Sequence, residues 1–183
     1  MLRHNESRRE HRGLRTLVAS PAMLASAPMN DTADHPDIVA LPPIVFGTAF
    51  LVGLVLNLAH PLWLDVSTPG RWIGGVVFVL AIVSIATARV AFVRAGTNVN
   101  PFQPATAVVA DGLFRFTRNP MYVGMCVAFA ALAVVTRVGW LLIVLVPTMV
   151  IIHWGVVLRE ERYLADKFGE AYQAYRKKVR RYL

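Results

Sequence analysis

Cysteine is close to absent from this chain. Cys126 is the single one, so no intramolecular disulfide can form, and its place inside an apolar run suits a small packing residue. Charge is scarce as well: Asp, Glu, Lys and Arg make up 16% of 183 residues, against 56% hydrophobic residues. A soluble domain of this size does not combine those two figures, and a mean hydropathy of +0.50 agrees. Acidic residues are the rarer sign, 11 against 19 Lys and Arg. Such an excess suits nucleic acid or anionic lipid headgroups. No nucleic-acid motif accompanies it and much of it flanks apolar runs, so membrane lipid is the expected partner and nucleic acid is not. No metal site is assigned.

What is present is a set of four apolar runs, at residues 41–59, 72–93, 120–135 and 138–158. Three are about 20 residues long, enough to cross a hydrocarbon core of roughly 30 Å. The third spans only about 24 Å at about 1.5 Å per residue, so one of its ends is expected below the membrane surface, held in protein rather than lipid. The expected fold is an all-α integral membrane bundle of about four transmembrane helices, with residues 39–183 as a single domain. Only Thr136 and Arg137 separate the last two runs, which predicts a tight antiparallel hairpin. The connection from Arg94 to Asn119 is long and carries aromatic and apolar residues, which favours an ordered, functional loop.

Lys and Arg placement sets the orientation. The N-terminal tail, the long loop and the C-terminal tail carry almost all of them, while Arg71 and Arg137 lie on the opposite side. Both termini and the long loop are therefore expected in the cytoplasm. Residues 1–38 lack periodicity and are expected to be disordered. Within them "SRREHRG" is a weak twin-arginine look-alike, "LVASPAMLASA" is an interrupted signal-like core, and Met29 is an alternative start. At the other end Leu164, Phe168, Ala171, Tyr172, Tyr175, Val179 and Tyr182 form a helical stripe opposed by Lys and Arg. That amphipathic segment either lies on the membrane surface or packs over the long loop, with Gly169 bending it.

Three constellations carry candidate chemistry. In "FTRNPMY", Asn119 is placed to cap a helix that starts at Pro120. A helix start offers free N–H groups and a positive dipole to an anionic group, and Arg118 either strengthens that site or meets lipid phosphate. In "REERYL", Glu160 and Glu161 put two carboxylates where positive-inside bias predicts basic residues. They either pair locally with Arg159 or Arg162 or grip a ligand. Both stretches sit at the same end of the paired last spans and can approach each other. His153, inside the fourth run, is either a hydrogen-bonded neutral histidine or a functional group.

The blocks "VVADGLFRFTRNPMYVG" and "EERYLADKFGEAYQAYRKKVRRYL" together resemble the isoprenylcysteine carboxyl methyltransferase and phospholipid methyltransferase superfamily. The resemblance covers residues 95–183 well and the first two spans by architecture. It implies an S-adenosyl-L-methionine-dependent methyltransferase acting on a lipophilic or membrane-partitioned acceptor, with the cofactor site in residues 95–183. By motif position, Thr106, Ala107, Val108 and Val109 would line the cofactor through their backbone, with Phe114 packed nearby. Arg118, Asn119, Pro120, Met121 and Tyr122 would form the helix-start wall, and Glu160, beside Glu161, would contact the cofactor. His153 would serve as a base or orient the acceptor. The chain departs from the pattern at Asn119, where the family has His, and at Phe114, where it has Tyr. It also carries Val156 where eukaryotic isoprenylcysteine enzymes have a substrate-binding Arg, which argues against prenylcysteine as acceptor. The alternatives are a non-catalytic membrane scaffold of the same fold and a small transporter. The few polar residues of the first two spans count against the transporter.

Overall fold

Proline marks where helices begin. The computed structural model describes residues 34–182, and the expectations for the N-terminal tail up to residue 33 lie outside them. Helix α1 (Pro42–Ala59) and helix α2 (Thr68–Arg94) both carry Pro in their first two positions, where its missing N–H leaves nothing unpaired. Ser67 also caps α2, its hydroxyl accepting from Gly70 N. Helix α3 (Pro120–Thr136) starts at Pro120 itself. Helix α4 (Gly139–Ile152) passes through one wide turn at His153–Val157 directly into helix α5 (Leu158–Lys178). Turns of that wide type occur mostly as single insertions in helices, often near functional sites.

Helices α1 and α2 and the continuous α4–α5 path (Gly139–Lys178) are long and apolar enough to cross a membrane, with α3 as a shorter apolar partner. The fold is an all-α membrane helical bundle. Helix α2 shows why lipid is its solvent. Its buried positions are the small residues Gly74, Ala81 and Ala88, while Trp72, Ile73, Val76 and Leu80 are exposed. In lipid, helices associate through close packing at small residues rather than by hiding apolar surface from water. Helix α3 is the reverse case, packed between α2 and α4 with Tyr122, Ala128, Phe129 and Ala133 buried. One end of this short span is expected to be held in protein, and its starting residues Pro120 and Tyr122 are buried.

The two far-side connections knit together. Leu64 N donates to Arg137 O at 2.7 Å and Gly139 N to Leu62 O at 2.8 Å. Arg137 ends α3 in the left-handed conformation (φ 62°) and its Nε donates to Leu64 O, while Arg71 Nε donates to Val135 O. The two arginines of that side thus satisfy carbonyls freed at turns and helix ends.

At the opposite end the long loop is ordered by its own contacts. Thr106 N donates to Thr97 Oγ1, Thr106 Oγ1 donates to Gly96 O, and a short 3₁₀ turn forms at Gly112–Arg115. Helix α5 packs over this loop, which decides between the two readings of the C-terminal stripe. Tyr175 Oη donates to Phe114 O at 2.8 Å and Tyr163 Oη accepts from Ala105 N. Gly169, at φ 51° and ψ −125°, breaks the helical path and turns Tyr172 and Tyr175 inward. Residues 34–38, grouped with the N-terminal extension by composition, also lie against α5. Lys167 Nζ reaches Asp34 at 2.6 Å, and Ile38 is buried in the core.

One close interhelical approach, between α2 and α3, is testable. A Cβ on Gly124 would meet Ile85 Cγ1 at 2.7 Å and Ser84 Oγ at 2.9 Å, whereas one on Gly75 would meet nothing within 4 Å. Gly124→Leu should cost about 1–3 kcal/mol through overpacking and lower the thermal midpoint of the detergent-solubilised protein, with Gly75→Leu as a near-neutral control. Equal midpoints for the two variants would refute this packing.

Candidate functional site

A cavity of about 860 Å³, counting its open mouth, lies between the long loop, the start of α3 and the first and last turns of α5. Three walls build it. The loop contributes Asn98 to Pro101 and then Ala105, Ala107, Val108 and Val109, mostly small or apolar side chains. The 3₁₀ turn adds Phe114, fixed edge-on against Phe92 at 5.2 Å between ring centres. Arg118 to Tyr122 form the second wall, and Glu160, Glu161, Tyr163, Leu164, Tyr172 and Tyr175 the third, with Pro36 at the rim.

The two adjacent carboxylates meet different environments. Glu160 accepts a hydrogen bond from Tyr122 Oη at 2.7 Å, and no cation pairs with it among the described residues. Burial, joined by the neighbouring Glu161 charge, pushes its pKa up to about 7, with the tyrosine hydroxyl opposing the shift. Glu161 instead sits between two guanidinium groups. Arg181 binds it through Nε at 3.1 Å and Nη2 at 2.9 Å, and Arg118 Nη2 lies 3.3 Å away. The Arg118 side chain is only 8% exposed, and its Nε and Nη1 are buried with no hydrogen-bond partner among the described residues.

The end of the chain completes this wall. Arg118 N donates to Arg180 O, while Thr117 Oγ1 and Asn119 Nδ2 both donate to Arg181 O. Asn119 therefore occupies the cap position of α3, but its side chain makes no capping bond and ties down the C-terminal tail instead.

Most residues singled out by sequence meet here. Ala107, Val108, Val109, Phe114, Arg118, Asn119, Pro120, Met121, Tyr122, Glu160 and Glu161 all line the cavity. Thr106 and His153 do not. Thr106 uses its hydroxyl inside the loop, and His153 Nδ1 lies 2.7 Å from Tyr182 Oη. The sequence reading missed the wall formed by Asn98 to Pro101 and the role of Tyr163, whose hydroxyl touches the loop, Asp34 and Lys167 together. Only the loop's unusual length pointed that way. Arg181 went unnoticed among a run of basic residues that reads as lipid-facing.

A family model described as Phospholipid methyltransferase matches residues 69–171, more than half of the chain. The chain belongs to the phospholipid methyltransferase family. The matched region runs from α2 through most of α5 and contains nearly the whole cavity wall. Over 67 residues, 37% of this chain, it is 45% identical to Methanethiol S-methyltransferase 1 of Bradyrhizobium diazoefficiens (strain JCM 10833 / BCRC 13528 / IAM 13628 / NBRC 14792 / USDA 110), and that stretch covers 22% of the relative's length.

For this family member the Tyr122–Glu160 contact gives a direct test. The hydroxyl stabilises the ionised carboxylate, so Tyr122→Phe should raise the Glu160 pKa above its value of about 7. Infrared titration of the protonated carboxyl band, assigned with Glu160→Gln, should show the midpoint moving upward. An unchanged or lower midpoint contradicts the assigned hydrogen bond.

Proposed function

We propose that this protein is an S-adenosyl-L-methionine-dependent methyltransferase that transfers a methyl group to a lipophilic or membrane-partitioned acceptor at the cytoplasmic end of its bundle. The observation that carries the proposal is the cavity itself, walled by both sequence blocks of the family resemblance and containing a buried carboxylate, Glu160, that no cation pairs with among the described residues. The fit to the cofactor is chemical. Phe114, Met121 and the small loop residues offer an apolar bed, and Glu160 offers a negative charge to a cationic head. When bound, S-adenosyl-L-methionine supplies a methyl group on a positively charged sulfonium, already activated for displacement.

The chain's own residues then need only bind, align and exclude water. Alignment of nucleophile and methyl group is a proximity effect of several kcal/mol, up to about 7–11 in the best intramolecular cases. Glu160, held by Tyr122, fixes the charged end of the ligand, and the α5 tyrosines close the cavity against the loop. The cytoplasmic placement rests on the Lys and Arg asymmetry. The methanethiol enzyme is a relative named for methylating a small thiol at sulfur, which puts thiols first among acceptors to try. A thiolate needs no further base, in keeping with the absence of His153 from the cavity lining.

Calorimetry on purified protein in detergent should show cofactor binding, weakened at least about tenfold by Glu160→Ala, as expected for losing a charge-assisted contact. The sign of the pH dependence follows from the carboxylate: it is ionised above about 7, so affinity should rise about tenfold from pH 6 to pH 8. Absence of any binding to well-folded protein sinks the proposal. Transfer of labelled methyl to a membrane lipid extract or to small thiols separates an enzyme from a scaffold that only binds.

A further inference from the structure

Pro36, at the cavity rim, belongs to none of its three walls. It is buried and lines the cavity from the middle of residues 34–38, which run between the loop and α5. Its neighbours reach both sides. His35 sets its ring edge-on to Phe102 of the loop at 6.0 Å between centres, while Asp34 meets Lys167 of α5 at 2.6 Å and Asp37 meets Arg159 at 3.1 Å. The two ends of this segment are held unequally. Ile38 is 6% exposed within the core, and Val39 N donates to Gly155 O at 3.1 Å on the wide turn. A Cβ on Gly155 would sit 3.3 Å from Val39 Cγ2, so this end is closely seated. At the other end the Asp34 side chain is 59% exposed, and an exposed ion pair holds weakly. The segment is pinned at one end and latched at the other.

The latch centres on one hydroxyl. A tyrosine oxygen offers one donor and two acceptor sites, and Tyr163 uses all three. It accepts from Ala105 N at 3.1 Å and from Lys167 Nζ at 3.0 Å, and its own proton faces Asp34 Oδ1 at 3.0 Å. That single oxygen joins the loop wall, α5 and the segment. The Lys167 ammonium also lies over the Tyr163 ring, 5.4 Å from its centre. We propose that residues 34–38 form a strap that opens and closes the cavity mouth, with Tyr163 as the positioning residue that couples its latch to the loop wall. The proposal rests on the reading of the cavity as a cofactor site and adds to it the way the cofactor enters and leaves. The energetics suit a gate. An exposed pair such as Asp34–Lys167 favours the closed form by a factor of only a few, so the strap opens readily. Ile38 and Val39 stay seated as its pivot, and Pro36, with its fixed φ, stiffens the arm between pivot and latch.

The test follows S-adenosylhomocysteine binding to and leaving the full-length protein in detergent, by surface plasmon resonance. A strap slows entry and exit alike, so weakening its latch should raise both rate constants while Kd moves little. Asp34→Lys sets like charges opposite Lys167 at an exposed position, where folding is not at stake. It should raise association and dissociation at least about threefold each, with Kd within about twofold and the thermal midpoint unchanged. Adding Lys167→Asp to Asp34→Lys should bring both rates back toward wild type, and Tyr163→Phe should raise both. Faster dissociation with unchanged association marks a lost contact with the ligand and overturns the strap. So do unchanged rates in Asp34→Lys, or a double variant that stays as fast as Asp34→Lys alone. Each of those results leaves the cofactor reading standing. If the probe does not bind wild-type protein, the cofactor reading fails and the strap with it.

Discussion

The arrangement depends on one buried carboxylate. Glu161 is 7% exposed at its side chain and is held by Arg181 and Arg118 together. Burying such a charge is costly unless its partners are well placed, and removing one partner of a buried pair typically costs about 3–5 kcal/mol. That demand fixes Arg181, and with it the last residues of the chain, against the start of α3. The carbonyls of Arg180 and Arg181 then accept from Arg118, Thr117 and Asn119. One side-chain cluster thus joins the long loop's end, the α3 start, α5 and the C-terminal tail.

Adjacent positions on one helix do opposite work. Residues one apart on an α-helix point about 100° apart around its axis, so Glu161 turns toward the arginines while Glu160 turns toward Tyr122 and the cavity. The first is spent on structure, while the second is held by one tyrosine hydroxyl. A sequence shows both as the same dyad. Only the three-dimensional distribution of cations separates them, because Arg181 arrives from 20 residues further along the chain.

Much of the architecture was legible because lipid simplifies the problem. A span must be long, apolar and helical, so composition alone outlines α1, α2 and α4, and the brevity of α3 marks it as enclosed. The stripe ending in Tyr172 and Tyr175, with Gly169 as its breaking point, was readable from spacing and from the conformational freedom of glycine. The cavity wall was legible through motif resemblance at the α3 start and at Glu160. What escaped were contacts set by distant partners. Asn119 has every local mark of a helix cap, yet its amide meets Arg181 O. His153 carries the look of a site residue, yet lies against Tyr182. Asp34 sits in a polar, aperiodic tail, yet Lys167 and Tyr163 claim it. Local pattern cannot rank partners separated by 29 to more than 100 residues along the chain.

The short α3 links these features to chemistry in a membrane. Its 17 residues make a helix of about 25 Å at about 1.5 Å per residue, less than a hydrocarbon core of about 30 Å. If its far end, tied to the α1–α2 turn through Arg137, lies at the opposite interface, then Pro120 and Tyr122 start several ångströms inside the near one. Backbone and polar groups at that depth must be enclosed by protein, and the loop, α5 and the tail do the enclosing. The same geometry keeps Glu160, bonded to Tyr122, close to the boundary between headgroups and hydrocarbon. For the function proposed above, that boundary position lets a charged ligand stay on the polar side while an apolar acceptor arrives from the bilayer.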